Sequence, residues 1–264
     1  MFKGKVAVVT GAGGGIGRAL AVRLAKEGCN LALIDISSEG VLHTADMIKN
    51  SGVAVSAHVA DVSDKNQVAD LPAKVFSKHK KLDFLFNIAG VAAGGDFESL
   101  EVETIEKAMR INFLSQVYMM KSFWSYLKKV PSAHIINMSS ITGKAAFAKN
   151  SAYSASKFAV AGFTNSVACE LENSSIKFTV VYPGAVSTDI TDNAISSGGT
   201  GEPNSPSMIA KGISPYKAVE SILKGVKKGK RELFIGADAK LLFRLQRLCP
   251  VRYWKIIKRY VRSV

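Results

Sequence analysis

The sequence is short of the residues that would staple or metallate a fold. It has three cysteines in 264 residues, Cys29, Cys169 and Cys249, and no Cys-x-x-Cys pair. Neither a disulfide framework nor a structural zinc site is expected, and a reducing compartment suits the chain. The four histidines, His43, His58, His79 and His134, stand far apart without metal-ligand spacing, so no metal is expected. No apolar run approaches the roughly 18 residues that a membrane-spanning helix needs. The longest runs, such as Val6–Val9, are strand-sized. The opening Met1–Val6 leads straight into a glycine-rich turn and reads as a first strand rather than a cleavable leader. Repeats and low-complexity blocks are also missing.

What is present is the composition of a folded globular chain, 47% hydrophobic and 21% charged. The net charge of +14 is unevenly placed. From Lys224 onward there are 13 Lys/Arg against two acids, Glu232 and Asp238, a net +11, which leaves only +3 for the first 223 residues. Basicity belongs to the C-terminal part, and a nucleic-acid-binding body is not expected.

Strand-like and helix-like segments alternate along the chain. Lys5–Thr10, Leu31–Asp35, Val53–Val59, Leu82–Phe86, Ala133–Met138, Lys177–Tyr182 and Glu232–Ile235 read as strands. Arg18–Glu27, Gly40–Lys49, a stretch ending near His79, Val102–Leu127, Ala152–Glu172 and Pro215–Lys227 read as helices. The strands are continuous apolar runs rather than alternating ones, as in a parallel sheet covered on both faces. The expected fold class is α/β, a Rossmann-like doubly wound parallel sheet. Residues 1–238 are expected to form this one domain and residues 239–264 a basic amphipathic extension.

Between the first strand and first helix lies Thr10-Gly11-Ala12-Gly13-Gly14-Gly15-Ile16-Gly17. Glycines there let the backbone turn tightly and approach a pyrophosphate, while the helix N-terminus offers free N–H groups to the negative charge. Gly11, Gly15, Ile16 and Gly17 are therefore candidate cofactor contacts. Asp35 ends the second strand, 24 residues after Gly11. A carboxylate at that place hydrogen-bonds the adenosine ribose and repels a 2′-phosphate, which favours NAD over NADP. The alternative is that Asp35 only caps the following turn.

Tyr153-Ser154-Ala155-Ser156-Lys157, preceded at Ile135–Ile141 by a strand that ends in Ser139 and Ser140, resembles the Tyr-x-x-x-Lys signature and catalytic serine of the short-chain dehydrogenase/reductase family. The i, i+4 spacing puts the ammonium and the phenol on one helix face, where a cation favours the phenolate. By the same resemblance Asn112 matches the helix asparagine, and Asn87-Ile88-Ala89-Gly90 matches the Asn-Ala-Ala-Gly motif, with Ile88 where Ala is usual. Asp61-Val62 matches the adenine loop. Pro183, Gly184, Val186 and Thr188 match the segment that cradles the nicotinamide. The resemblance spans roughly residues 4–236. It implies hydride transfer between a nicotinamide dinucleotide and an alcohol or ketone, with Tyr153 as general acid/base, Ser140 orienting the substrate oxygen, Lys157 lowering the tyrosine pKa and holding the nicotinamide ribose, and Asn112 positioning a relay water. Asn87 and Asn112 as structural groups, and Ser139 in place of Ser140, remain open readings. So does a non-catalytic NAD-sensing protein or scaffold of the same fold, which would need none of this proton machinery.

The family implies a homodimer or homotetramer in the cytoplasm and no nucleic-acid partner. Residues 92–97, 142–148 and 185–211 are expected to line the substrate pocket. With Phe147 and Met208 among them and no evident charged anchor, they favour an apolar substrate. The tail segments Ala239–Leu248 and Val251–Val261 have basic amphipathic character. Three readings stand: packing over the cleft or a partner subunit, attachment to an anionic membrane surface, or nucleic-acid binding.

Overall fold

The computed structural model describes residues 1–188, 190, 194–196, 212–253 and 255. Nine strands occur among them: β1 (Val6–Thr10), β2 (Asn30–Asp35), β3 (Val55–Val59), β4 (Phe84–Asn87), β5 (Ala93–Gly94), β6 (Ala133–Met138), β7 (Ile176–Pro183), β8 (Ile195–Ser196) and β9 (Glu232–Ile235). Seven form one parallel sheet in the order β3-β2-β1-β4-β6-β7-β9, and β5 pairs with β8 separately. Val9 lies between Leu33 and Phe86, and Leu85 opposite Ile135. The doubly wound parallel sheet inferred from the sequence is present.

Successive strand side chains point to opposite faces, so a strand buried on both sides must be apolar at every position. Ala7, Val9, Leu31, Leu33 and Phe86 pack on one face with α1 (Gly15–Lys26), α2 (Ser38–Ile48) and α7 (Pro215–Lys227). Val8, Ala32, Ile34, Leu85 and Ile135 pack on the other with α3 (Lys65–Phe76) and α5 (Ser115–Leu127). Helix starts follow local capping chemistry. The Ser37 hydroxyl accepts from the Gly40 N–H at 3.0 Å, the Asp64 carboxylate accepts from the Asn66 N–H at 2.9 Å, and Ser214 caps α7 with Pro215 at its first turn.

One expected element is corrected. The long helix at 102–127 is broken into α4 (Val102–Met109), a π-turn (Arg110–Leu114) and α5. The wider turn carries the fully buried Asn112 inward, and its carbonyl accepts from the Gln116 side chain at 3.0 Å. Apolar periodicity does not register one extra residue in a turn. The β5–β8 pair and a 3₁₀ turn at Ile141–Gly143 were not expected either. α6 (Ser151–Glu170) and α8 (Ala237–Leu248) complete the helices. Of the second tail segment, residues 254 and 256–264 lie outside the described residues; Tyr253 is buried.

Phe123 is fully buried in the second core cluster. Phe123→Ala should lower stability by about 3–5 kcal/mol, through lost transfer energy and a residual cavity. Urea unfolding checks this, and a loss below about 1 kcal/mol would contradict the packing described.

Candidate active site

Most of the motifs picked out in the sequence lie at or just past the carboxyl ends of parallel strands, joined by Asn112 from the π-turn and by Tyr153 and Lys157 from α6. β1 and β4 are neighbours whose crossovers leave in opposite directions, and a crevice opens between such strands. The glycine turn follows β1, and residues 88–90 follow β4. The Thr10 hydroxyl joins them by accepting from the Ile88 and Ala89 N–H groups at 3.0 and 3.2 Å. A side chain at Gly11 would lie 2.9 Å from the Ala89 backbone, and one at Gly17 would run into the Gly11 carbonyl. Gly11 and Gly15 take the left-handed conformation, with φ of +66° and +47°. No side chain caps the start of α1 at Gly14, so its first N–H groups remain open to an anion. These features fit a dinucleotide pyrophosphate.

Asp35 turns its carboxylate to this loop. One oxygen accepts from the Gly13 N–H at 2.8 Å, the other from the Ser37 N–H at 2.9 Å. A side chain at Gly13 would lie 2.8 Å from the carboxylate carbon, so glycine is what permits the approach. The turn-capping and cofactor-facing readings of Asp35 are thus compatible: it holds the turn and lines the cleft. Arg18, in the first turn of α1, also lines the cleft, with its guanidinium bonded to the Gly13 carbonyl and to the Thr44 hydroxyl. Asp61, Val62, Ala89, Gly90, Pro183, Gly184, Val186 and Thr188 line the same cleft. Asn87 does not; it is buried and donates to Asn137 at 2.8 Å within the sheet.

Ser140, Tyr153, Lys157 and Asn112 come together from three elements. Ser140 ends the β6 segment and is hydrogen-bonded to Tyr153. Its hydroxyl also accepts from the Thr142 N–H at 3.2 Å. Ser139 is engaged elsewhere, donating to the Lys157 carbonyl at 2.8 Å, so Ser140 and not Ser139 adjoins the tyrosine. The Lys157 ammonium lies 5.4 Å from the Tyr153 ring centroid and donates to the Met138 carbonyl at 3.2 Å. The Asn112 amide is fully engaged. Its oxygen accepts from the Val91 N–H at 2.9 Å, and its nitrogen donates to the Val91 carbonyl at 3.0 Å and to Ser156 at 3.1 Å.

The electrostatics differ from the expectation. Burial pushes the Tyr153 phenol from its ordinary 10.0 up to about 12, with the Ser140 hydrogen bond drawing it the other way. Burial likewise pushes Lys157 from 10.5 down to about 7. Desolvation is the leading cause of both shifts, because both groups are buried. Sequence reasoning missed Gln116, which donates to the carbonyls of both Asn112 and Met138, at 3.0 and 3.1 Å. Its place four residues after Asn112 was the available signal.

The cleft has a volume of about 2080 Å³. A drug-sized ligand needs roughly 300–1,000 Å³, so there is room for a dinucleotide and a second molecule. Its lining includes the apolar Ile141, Phe147, Ile195, Leu241, Leu242 and Leu245, and also the charged Glu103, Glu106, Lys107 and Arg110. Residues 92–97 do not line it: Ala92 and Ala93 are buried, and Phe97 is exposed. Lys144 turns away to Glu232 at 2.7 Å. Lys149 at the rim lies 3.4 Å from Asp96. Leu241, Leu242 and Leu245 on α8 realise the reading in which the tail packs over the cleft. Of the segment 185–211, residues 189, 191–193 and 197–211, with Met208, lie outside the described residues.

Comparison with known proteins gives a consistent family. The short chain dehydrogenase model matches residues 5–197. The oxidoreductase SadH of Mycobacterium tuberculosis is 32% identical over 261 residues, 97% of this chain and 95% of that protein. Human estradiol 17-beta-dehydrogenase 11 is 29% identical, over 98% of this chain and 83% of that protein. A short chain dehydrogenase/reductase from Burkholderia phymatum, solved in complex with NAD, superposes with a TM-score of 0.86 at 24% identity, covering 93% and 94% of the two chains. The alcohol dehydrogenase of Thermococcus sibiricus, solved with 5-hydroxy-NADP, gives 0.76 at 26%, covering 88% and 95%.

The Lys157 shift has a stability consequence. Between about pH 7 and pH 10 the unfolded chain keeps the lysine proton that the folded chain has lost, so stability rises with pH across that window. Above pH 10 the raised Tyr153 acts in the opposite sense. The stability of the natural protein relative to Lys157→Met should therefore grow from pH 7 toward pH 10, read by urea unfolding. A difference that does not change with pH would rule out a depressed Lys157.

Proposed function

The chain belongs to the short-chain dehydrogenase/reductase family and is a nicotinamide-dependent oxidoreductase of small molecules, and we propose that it interconverts a lipophilic alcohol and its ketone with NAD as the preferred dinucleotide. The observation that carries this reading is that Ser140, Tyr153 and Lys157 line one cleft together with the apolar side chains of Ile141, Phe147, Leu241, Leu242 and Leu245.

When bound, the nicotinamide would supply or accept the hydride. The chain's own residues govern the proton and the geometry. Tyr153 gives its hydroxyl proton to the substrate oxygen, or takes the alcohol proton, at Oη. Ser140 donates to that same oxygen and stabilises charge as it develops. Lys157, over the tyrosine ring, favours the phenolate when protonated and holds the nicotinamide ribose. Asn112, its amide engaged on Val91 and Ser156, ties the π-turn to the loop after β4, which leaves its backbone carbonyl, shared with Gln116, as the group to position a relay water. Gly11, Gly15, Ile16 and Gly17 would take the pyrophosphate and Asp61 and Val62 the adenine, with Ala89 and Gly90 as further cofactor contacts in the same cleft. The segment with Pro183 and Gly184 would cradle the nicotinamide, the Val186 backbone and the Thr188 hydroxyl holding its carboxamide. Asn87 acts through the sheet.

The preference for NAD is supported by the Asp35 carboxylate, which faces the cleft beside Gly13 and would repel a 2′-phosphate. The lipophilic substrate is supported by the apolar wall of Phe147, Leu241, Leu242 and Leu245 and accords with the name of the human relative, a dehydrogenase of estradiol. Among the described residues no helix is long and apolar enough to cross a membrane; a basic tail beside an apolar cleft favours work at a membrane surface. Assembly as a homodimer or homotetramer belongs to the same proposal. It is supported by the half-buried Tyr118 and Trp124 on α5 and the exposed Phe158 on α6.

A panel of secondary alcohols and ketones, run with NAD and NADP and followed by nicotinamide absorbance, tests the activity and the cofactor choice together. Tyr153→Phe should keep NADH binding and lose turnover by about 100-fold or more. Asp35→Asn should raise the NADP/NAD ratio of kcat/KM. Near-normal turnover in Tyr153→Phe would remove the assigned acid/base. Dinucleotide binding with no turnover on any substrate would favour an NAD-sensing role.

A further inference from the structure

The outer face of α8 mixes apolar and basic side chains. Lys240, Leu241, Arg244, Arg247 and Leu248 are exposed there, with Val251 and Arg252 just beyond the helix end. Leu248 and Val251 are 76% and 75% exposed. From Lys240 to Lys255 the sequence holds five Lys/Arg and no acid.

The inner face of the helix is already occupied. Ala239 and Tyr253 are buried, Leu242 and Leu245 pack with Ala145 and Phe147, and Phe243 stacks on Phe234 with ring centroids 4.0 Å apart. The Asp238 carboxylate accepts from the Ala185 N–H at 2.8 Å, tying the helix start to the turn after β7. The exposed side chains of α8 thus hold a set position relative to the cleft. Leu241 belongs to both surfaces: it lines the cleft and is 58% exposed.

We propose that this face of α8 docks on an anionic lipid bilayer and sets the mouth of the cleft against it, so that a lipophilic substrate reaches the site past Leu241. The proposal rests on the lipophilic-substrate reading above. Leu248 and Val251 would enter the acyl boundary while the arginines and lysines reach the headgroups, each basic group adding attraction to an anionic surface. A polyanionic nucleic acid would leave the two exposed apolar side chains unused. A second copy of the same face would bring like charges together.

The full-length protein is sedimented with phosphatidylcholine vesicles, with and without phosphatidylserine. Binding only to the phosphatidylserine vesicles, weakened by salt, is expected. Arg244→Glu/Arg247→Glu and Leu248→Glu/Val251→Glu should each weaken it by about tenfold or more. NADH fluorescence and turnover of water-soluble secondary alcohols, unchanged in both variants, show that they remain folded. The docking face is overturned if the natural protein ignores phosphatidylserine, or if both variants bind as it does. Tighter binding to a DNA duplex than to vesicles also overturns it, as does a fall in assembly mass in Leu248→Glu/Val251→Glu. A protein that turns over soluble alcohols but never binds vesicles loses the docking face and keeps the activity. One that binds vesicles without any turnover keeps the face and loses the activity.

Discussion

The parallel pairing of β4 with β1 on one side and with β6 on the other governs where chemistry can happen. Strands on the β1 side and on the β6 side are reached by crossovers running in opposite directions, so their loops part above the carboxyl ends and leave a crevice. Into it come the glycine turn after β1, residues 88–90 after β4, Ser140 after β6 and residues 183–188 after β7. The Thr10 hydroxyl, bonded to two backbone N–H groups of the neighbouring loop, holds the first two together. The positions of the site residues therefore rest on sheet register more than on any contact among themselves.

Within the crevice the governing cost is desolvation. Asn112, Gln116, Ser156 and Lys157 are all buried, and such groups are costly unless paired; of their side-chain polar atoms only the Gln116 Oε1 lacks a partner. The Met138 carbonyl receives both Gln116 and Lys157, and Asn112 uses each amide atom on Val91 or Ser156. The π-turn is the backbone's share of that arrangement. It spends one extra residue so that an asparagine on a helix reaches inward to a loop. The same burial holds a lysine near neutral pH in its titration and a tyrosine above its usual range, leaving both responsive to what else enters the cleft.

The C-terminal helix joins this centre to the outside. Its inner side chains complete the apolar lining, its first turn is tied to the segment after β7, and its outer face carries Lys240, Arg244 and Arg247. Substrate enclosure and surface chemistry are thereby placed on two faces of one short helix. That explains why residues outside the α/β sequence alternation still bear on what the cleft admits.

Much of this was legible in the residues. Continuous apolar runs determined the parallel sheet, because a strand covered on both faces has no polar side. Glycines 11–17 and Asp35 determined a dinucleotide turn, because only a bare backbone can approach a pyrophosphate. Tyr153 and Lys157 fell on one helix face through a spacing of four. Tertiary structure decided the rest. It set Ser140 beside Tyr153 and turned Ser139 to the Lys157 carbonyl. It broke the 102–127 helix at Asn112 and brought in Gln116, through bonds to a loop and a strand distant in sequence. It reversed the expected direction of the tyrosine shift, because burial is a property of packing that no local spacing carries. And it laid α8 along the cleft, a contact made between residues 238–245 and residues 145–185 that only the folded chain brings together.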